Sequence, residues 1–112
     1  MKEIRAIVRL EKVRDILDAL EENGHPGVSL ARIEGHGRQA GVVEQFRGRE
    51  FKVDLLPKAR LDIVCKDGEV DTLVKLIADI AKTGNIGDGK IFVYPVDNAM
   101  RIRTGETGEA AI

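Results

Sequence analysis

The apolar pattern of this chain switches from the period of a strand to that of a helix and back, and does so twice, which leaves few folds open. Residues Glu3 to Arg9 alternate, with Ile4, Ala6 and Val8 on one face and Arg5, Ile7 and Arg9 on the other, as a strand requires. From Glu11, Val13, Ile16, Leu17 and Leu20 fall at helical spacing, and Asn23-Gly24 provides a C-terminal stop. The turn Gly24-His25-Pro26-Gly27 leads back to alternation over Val28 to Glu34, with Val28 and Leu30 opposite Ser29, Ala31 and Ile33. The second half repeats the plan. Ala59, Leu61, Ile63 and Cys65 share one strand face, and Asp67 stands where it could cap a helix bearing Val70, Leu73, Val74, Ile77 and Ala81. Gly84 closes that helix, and Lys90 to Pro95 reads as the last strand. The order β-α-β-β-α-β predicts an α+β, ferredoxin-like sandwich with two helices on one face of an antiparallel sheet. The other face, carrying Ile7, Ile33 and Val64, would gain by burial against another subunit.

With 112 residues the chain is expected to be one domain, 1–112, burying roughly 65% of its unfolded surface. A third of the residues are charged, yet the net formal charge is −1, so no global field recruits nucleic acid or an anionic membrane. One tyrosine and three phenylalanines are too few for a single-strand stacking platform. Any anion site must therefore be local. The lone cysteine, Cys65, has no partner for an internal disulfide and lies in an apolar run, so it reads as a buried small hydrophobe in a reducing compartment. Met1-Lys2 leads straight into a short strand and no run reaches membrane-spanning length, so a cytoplasmic protein is expected.

Three segments escape the periodic plan. The first runs from Gly37 to about Leu55, with glycines at 37, 41 and 48, seven charged residues and weak periodicity. It reads as a long protruding contact loop; the plainer alternative is a β-hairpin extension of the flanking strands. The second is Thr83-Gly84-Asn85-Ile86-Gly87-Asp88-Gly89-Lys90, where glycines allow backbone N–H groups to approach an anion and Lys90 adds a cation. Gly84 to Lys90 has the G-x-x-x-x-G-K spacing of a phosphate loop, but Ile91 replaces the hydroxyl residue and the order is helix then strand, the reverse of that motif. The preceding helix would present its negative end. Further cations are needed, and Arg101 and Arg103, at alternate positions of what reads as an extended arm within the tail 97–112, could supply them. Arginines on a solvated face are common, and only the pairing with the glycine loop favours a site.

Other motifs weaken in context. Gly35-His36-Gly37-Arg38-Gln39-Ala40 matches a dinucleotide fingerprint but opens no helix. His25 and His36 share no metal-ligand spacing with Cys65 or a carboxylate cluster. No nucleophile and base form a recognisable constellation.

The segments TGNIGDGK, RIRTGETGE, GHGRQ and LLPK together resemble the P-II nitrogen-regulatory signalling proteins, essentially end to end. The resemblance implies a homotrimer of ferredoxin-like subunits whose clefts bind ATP or ADP competitively, and 2-oxoglutarate when Mg2+ and ATP are present. For the nucleotide it implies Gly87, Asp88, Gly89 and Lys90 at the phosphates with Arg101 and Arg103, Gly37, Arg38 and Gln39 at the base of the long loop, and Val64 beside the adenine. Ser29 and Asp62 stand where the family has Thr and Glu, keeping a hydroxyl and a carboxylate for the nucleoside. For 2-oxoglutarate it implies Lys58, Gln39, Gly37, Arg38 and Gly87, with Gln39 also positioning Mg2+. Arg47, Arg49 and Phe51 fall at the target-contacting tip. Phe51 replaces the tyrosine that many members have uridylylated, and Arg49 replaces a serine phosphorylated in others, so neither modification can occur there. Arg47 matches an arginine that plugs ammonium channels, which points to an ammonium transporter, while the nitrogenase branch is an alternative target. Contact with a membrane would come only through such a transporter. The rival readings are a slow ATP-hydrolysing enzyme and a P-II-like adenylate sensor that does not bind 2-oxoglutarate.

Overall fold

The computed structural model describes residues 1–36 and 55–112, and between them the backbone of two strands at 42–46 and 49–53. Strands β1 (Lys2–Val8), β2 (Ser29–Gly35), β5 (Leu56–Cys65) and β6 (Lys90–Pro95) form one sheet in the order β2-β5-β1-β6, and each neighbouring pair is antiparallel. Helices α1 (Val13–Glu22) and α2 (Val70–Ala81) complete the ferredoxin-like plan. Each helix is entered through a short 3-10 turn, Leu10–Lys12 and Asp67–Glu69.

Alternation in the strands and the helical spacing converge on a single core. Ile4, Ala6 and Val8 of β1 and Ala59, Leu61, Ile63 and Cys65 of β5 are buried with Ile16 and Leu20 of α1 and Leu73, Ile77 and Ala81 of α2. Fully burying each larger aliphatic side chain contributes about 1.5–3 kcal/mol, so this layer anchors the central strands. The registers Arg5↔Asp62, Arg5↔Phe92 and Ser29↔Asp62 place these residues together on the opposite sheet face. On that face Ile7 and Ile33 are half-buried, whereas Val64, Phe92 and Tyr94 remain about 40% exposed.

The segment read as a long loop, with a β-hairpin as the alternative, contains an antiparallel hairpin, β3 (Val42–Phe46) with β4 (Arg49–Val53), in a sheet of its own. Two local expectations are corrected. Asp67 does not cap α2: the interposed 3-10 turn makes Glu69 the N-cap, with no side-chain capping bond. The Asp67 carboxylate instead meets the Met1 nitrogen at 2.9 Å. Arg101 and Arg103 do not lie on an extended arm. Gly105 N donates to the Arg101 carbonyl (2.8 Å) and Arg101 N to the Glu106 carbonyl (2.8 Å), folding 101–106 into a turn bounded by the Met100↔Thr107 bridge. Gly105, at φ 75°, supplies the left-handed residue that this turn needs.

Candidate functional site

The glycine loop is held by its own acid. The Asp88 carboxylate accepts hydrogen bonds from Thr83 N (2.8 Å), Gly84 N (2.9 Å), the Thr83 hydroxyl and Arg9 Nε (3.1 Å). These donors, the Thr83 hydroxyl foremost, hold its pKa far below the usual carboxylate range. Arg9, at the end of β1, also donates to the Ile86 carbonyl at 2.9 Å. The side chain of Asp88 is thus committed to loop structure, and its contribution to an anion would come from its backbone.

Gly87 and Gly89 take φ values of 106° and 99°. A Cβ on Gly89 would stand 1.7 Å from the Ile7 carbonyl oxygen, so only glycine lets the loop lie this close to β1. Lys58, on β5, is buried, and its ammonium donates to the Gly87 carbonyl at 2.6 Å. Burial, then the nearby Arg9 charge, lowers its pKa, with Glu11 and Asp88 acting in the opposite sense. Lys90 opens β6 opposite Ile7 and is exposed. Lys58, Gly87, Asp88, Gly89 and Lys90 therefore form one group at the end of the sheet from which the hairpin departs, since Gly35↔Leu56 is the last β2–β5 pair before it.

A second group lies at the other end of β5. Ser29, Asp62 and Val64 line a hollow of about 490 Å³ with Glu3, Pro26 and Ile112. Burial opposes ionisation of Asp62, but hydrogen bonds from Arg5 Nε (2.9 Å) and Arg60 Nε (3.0 Å), one to each carboxylate oxygen, leave its pKa lowered. The carboxylate expected at a nucleoside is already engaged by two arginines. Lys58 and Val64 are six positions apart on β5, about 20 Å of strand, so the two groups are distinct on one chain.

Arg101 and Arg103 join neither group through a hydrogen bond or ion pair among the described residues. Arg101 pairs with Glu106 (3.0 Å), which also accepts from the Thr104 hydroxyl (2.9 Å). Gly37, Arg38, Gln39 and Arg47 lie outside the described residues, and of Arg49 and Phe51 only the β4 backbone is described. Arg9 and Ile112 were not singled out by the sequence: Arg9 meets Asp88 across 79 positions, and no local pattern announces such a pairing.

Among the described residues no group of three or more His, Cys, Asp or Glu could hold a metal ion. Cys65 is buried and its thiol is pushed up, first by that burial, away from the reactive thiolate. Among the described residues no helix is long and apolar enough to cross a membrane. The arrangement offers a glycine turn over a buried cation and a separate hollow.

Residues 1–106 match the family model "Nitrogen regulatory protein P-II". The chain is 50% identical over its whole length to nitrogen regulatory protein P-II 2 of Methanothermobacter thermautotrophicus, covering 97% of that protein. It is 49% identical to P-II 1 of Escherichia coli and 46% identical to P-II of Pasteurella multocida, end to end in both.

Proposed function

Because this chain belongs to the nitrogen regulatory protein P-II family, a family of signalling proteins rather than enzymes, we propose that it reads adenylates and 2-oxoglutarate and reports through its 37–55 segment. The observation that carries the reading is the hydrogen bond from buried Lys58 to the Gly87 carbonyl, which ties the glycine loop to the strand that leads out of the hairpin.

The acting unit is a homotrimer. One copy supplies the backbone of Gly87, Asp88 and Gly89 with Lys90 for the phosphates of ATP or ADP, and a neighbour supplies the Ser29, Asp62 and Val64 hollow for the nucleoside. The spacing of the two groups along β5 favours this division. Arg101 and Arg103 add charge at the phosphates, with Arg101 retaining donors beyond the one given to Glu106. Gln39, together with the ATP phosphates and 2-oxoglutarate, would hold Mg2+, which would neutralise charge between the two ligands.

A carboxylate of 2-oxoglutarate then meets Lys58, with Gly37, Arg38 and Gly87 alongside. Its arrival competes with the Gly87 carbonyl for the ammonium, so effector binding is felt by the glycine loop and by β5 together. ADP lacks the γ-phosphate that helps fix the metal and leaves the 37–55 segment in another state, a shift bounded by the differential affinity of the ligands for the two states. Targets are nitrogen-metabolism proteins, with an ammonium transporter reached through Arg47 as the leading candidate and the nitrogenase branch as the other. With phenylalanine at 51 and arginine at 49, ligands alone control the tip.

Calorimetric titration of 2-oxoglutarate into the ligand-free, Mg-ATP and Mg-ADP forms tests this reading. Binding only to the Mg-ATP form, lost in Gln39→Ala, is expected. Adenylate binding without 2-oxoglutarate in any form makes the protein an energy-charge sensor, and steady ATP turnover at about 1 per second or faster makes it an enzyme.

A further inference from the structure

We propose that His25 is a positioning residue for the hollow lined by Ser29, Asp62 and Val64, and that its protonation tightens ligand binding there; this rests on the reading above, that a nucleotide occupies that hollow.

One wall of the hollow is the connection Gly24-His25-Pro26-Gly27, which belongs to neither a helix nor a strand. Two glycines, one of them at φ 82°, give this wall wide backbone freedom that binding must remove. Its middle is pinned from both sides. His25 N donates to the Leu20 carbonyl of α1 at 2.8 Å, and the imidazole Nε2 lies 2.6 Å from Glu69 Oε2 on the turn entering α2. His25 itself lines the hollow, so the clamp acts directly on the surface a ligand would touch.

The charged groups that face His25 come from three elements. Glu69 and Lys66 flank it from the approach to α2, Glu3 from β1 and Asp62 from β5. Ile112, with the terminal carboxylate of this chain, lines the same walls. Glu3 and Asp62 are both paired with Arg5, at 3.5 and 2.9 Å, and Glu69 is the carboxylate in direct contact with the imidazole, at 2.6 Å. Across 2.6 Å a charge on the imidazole adds direct coulombic attraction to the bond that the Glu69 carboxylate already makes with the ring. Protonation therefore tightens the clamp, pre-orders the wall and lowers the ordering cost of binding.

The test measures ADP and ATP affinity of the full chain at about pH 5.5 and about pH 8 for wild type, His25→Gln and Glu69→Gln. Glutamine at 25 keeps a donor toward Glu69 but cannot titrate, and proton uptake by the nucleotide is common to all three proteins. Wild type is expected to gain about fivefold more affinity than either variant on acidification. Nucleotide should also raise the pH midpoint of the His25 ring resonances. Identical pH profiles in wild type and His25→Gln, with nucleotide bound, overturn this proposal and leave the nucleotide reading intact. Absence of adenylate binding to wild type at either pH overturns the nucleotide reading, and the proposal with it.

Discussion

Replacing Gly89 with alanine should be among the most damaging single changes outside the core. The added Cβ would meet the Ile7 carbonyl oxygen at 1.7 Å and its carbon at 2.8 Å. Both are backbone atoms of a central strand, so no rotamer change relieves the clash. The loop cannot simply step away, because Asp88 is fixed by Thr83, Gly84 and Arg9 on one side and Lys90 is paired with Ile7 on the other. Positive φ costs an L-residue about 1–2 kcal/mol, and forcing atoms into a filled space adds about 1–3 kcal/mol. A total of about 2–5 kcal/mol is a large share of the roughly 5–15 kcal/mol that holds a domain together. Gly84 offers the internal control: its φ is 91°, but nothing lies within 4 Å of the point a Cβ would occupy there, so Gly84→Ala should lose only the conformational part. Denaturant unfolding at one fixed protein concentration, needed because assembly shifts apparent stability, should give a lower midpoint for Gly89→Ala than for Gly84→Ala. Equal midpoints would refute the claim that contact with β1 is what demands glycine at 89.

Asp88→Asn should flatten the acid dependence of stability. The folded-state pKa of Asp88 is depressed, so its contribution is fully present above the unfolded carboxylate value of about 3.9 and disappears as pH falls toward the lower folded value; melting temperatures of wild type and variant should converge in that acid window. Lys58→Met leaves the Gly87 carbonyl without the ammonium donor and should cost about 1–3 kcal/mol in chemical unfolding. In calorimetry the same variant should lose 2-oxoglutarate while keeping ADP. Arg101→Gln should weaken ATP more than ADP, with a shallower salt dependence, because the lost charge matters most to the more highly charged ligand.

The fold was legible where periodicity is strong. Ile4, Ala6 and Val8, or Leu73 and Ile77, can satisfy their spacing in only one way, and all are buried. The hairpin at 42–53 was less legible because charges fall among Val42, Val43 and Phe46 without clean alternation, although the pairing Val42↔Val53 is regular. Arg101-Ile102-Arg103 misled in the opposite direction. Its alternation imitates a strand, while Thr104-Gly105-Glu106 closes it into a turn through bonds that a period count does not register. Of the site, the glycines stood out as types and Lys58 only through the family resemblance, whereas the commitments of Asp88 to Arg9 and of Asp62 to Arg5 span 79 and 57 positions. Such pairings follow from strand order, which has to be known first.

The central claim is that the glycine-loop group and the hollow act together only across two copies. It is tested most directly by mixing two nucleotide-binding variants, Lys90→Glu in the loop group and Ser29→Trp in the hollow, refolding them together and measuring ADP binding. Each variant alone should bind poorly. The equal mixture should recover about one quarter of the clefts, half times half, because a head-to-tail ring pairs an intact loop from one variant with an intact hollow from the other. A mixture that binds no better than its components would contradict the claim.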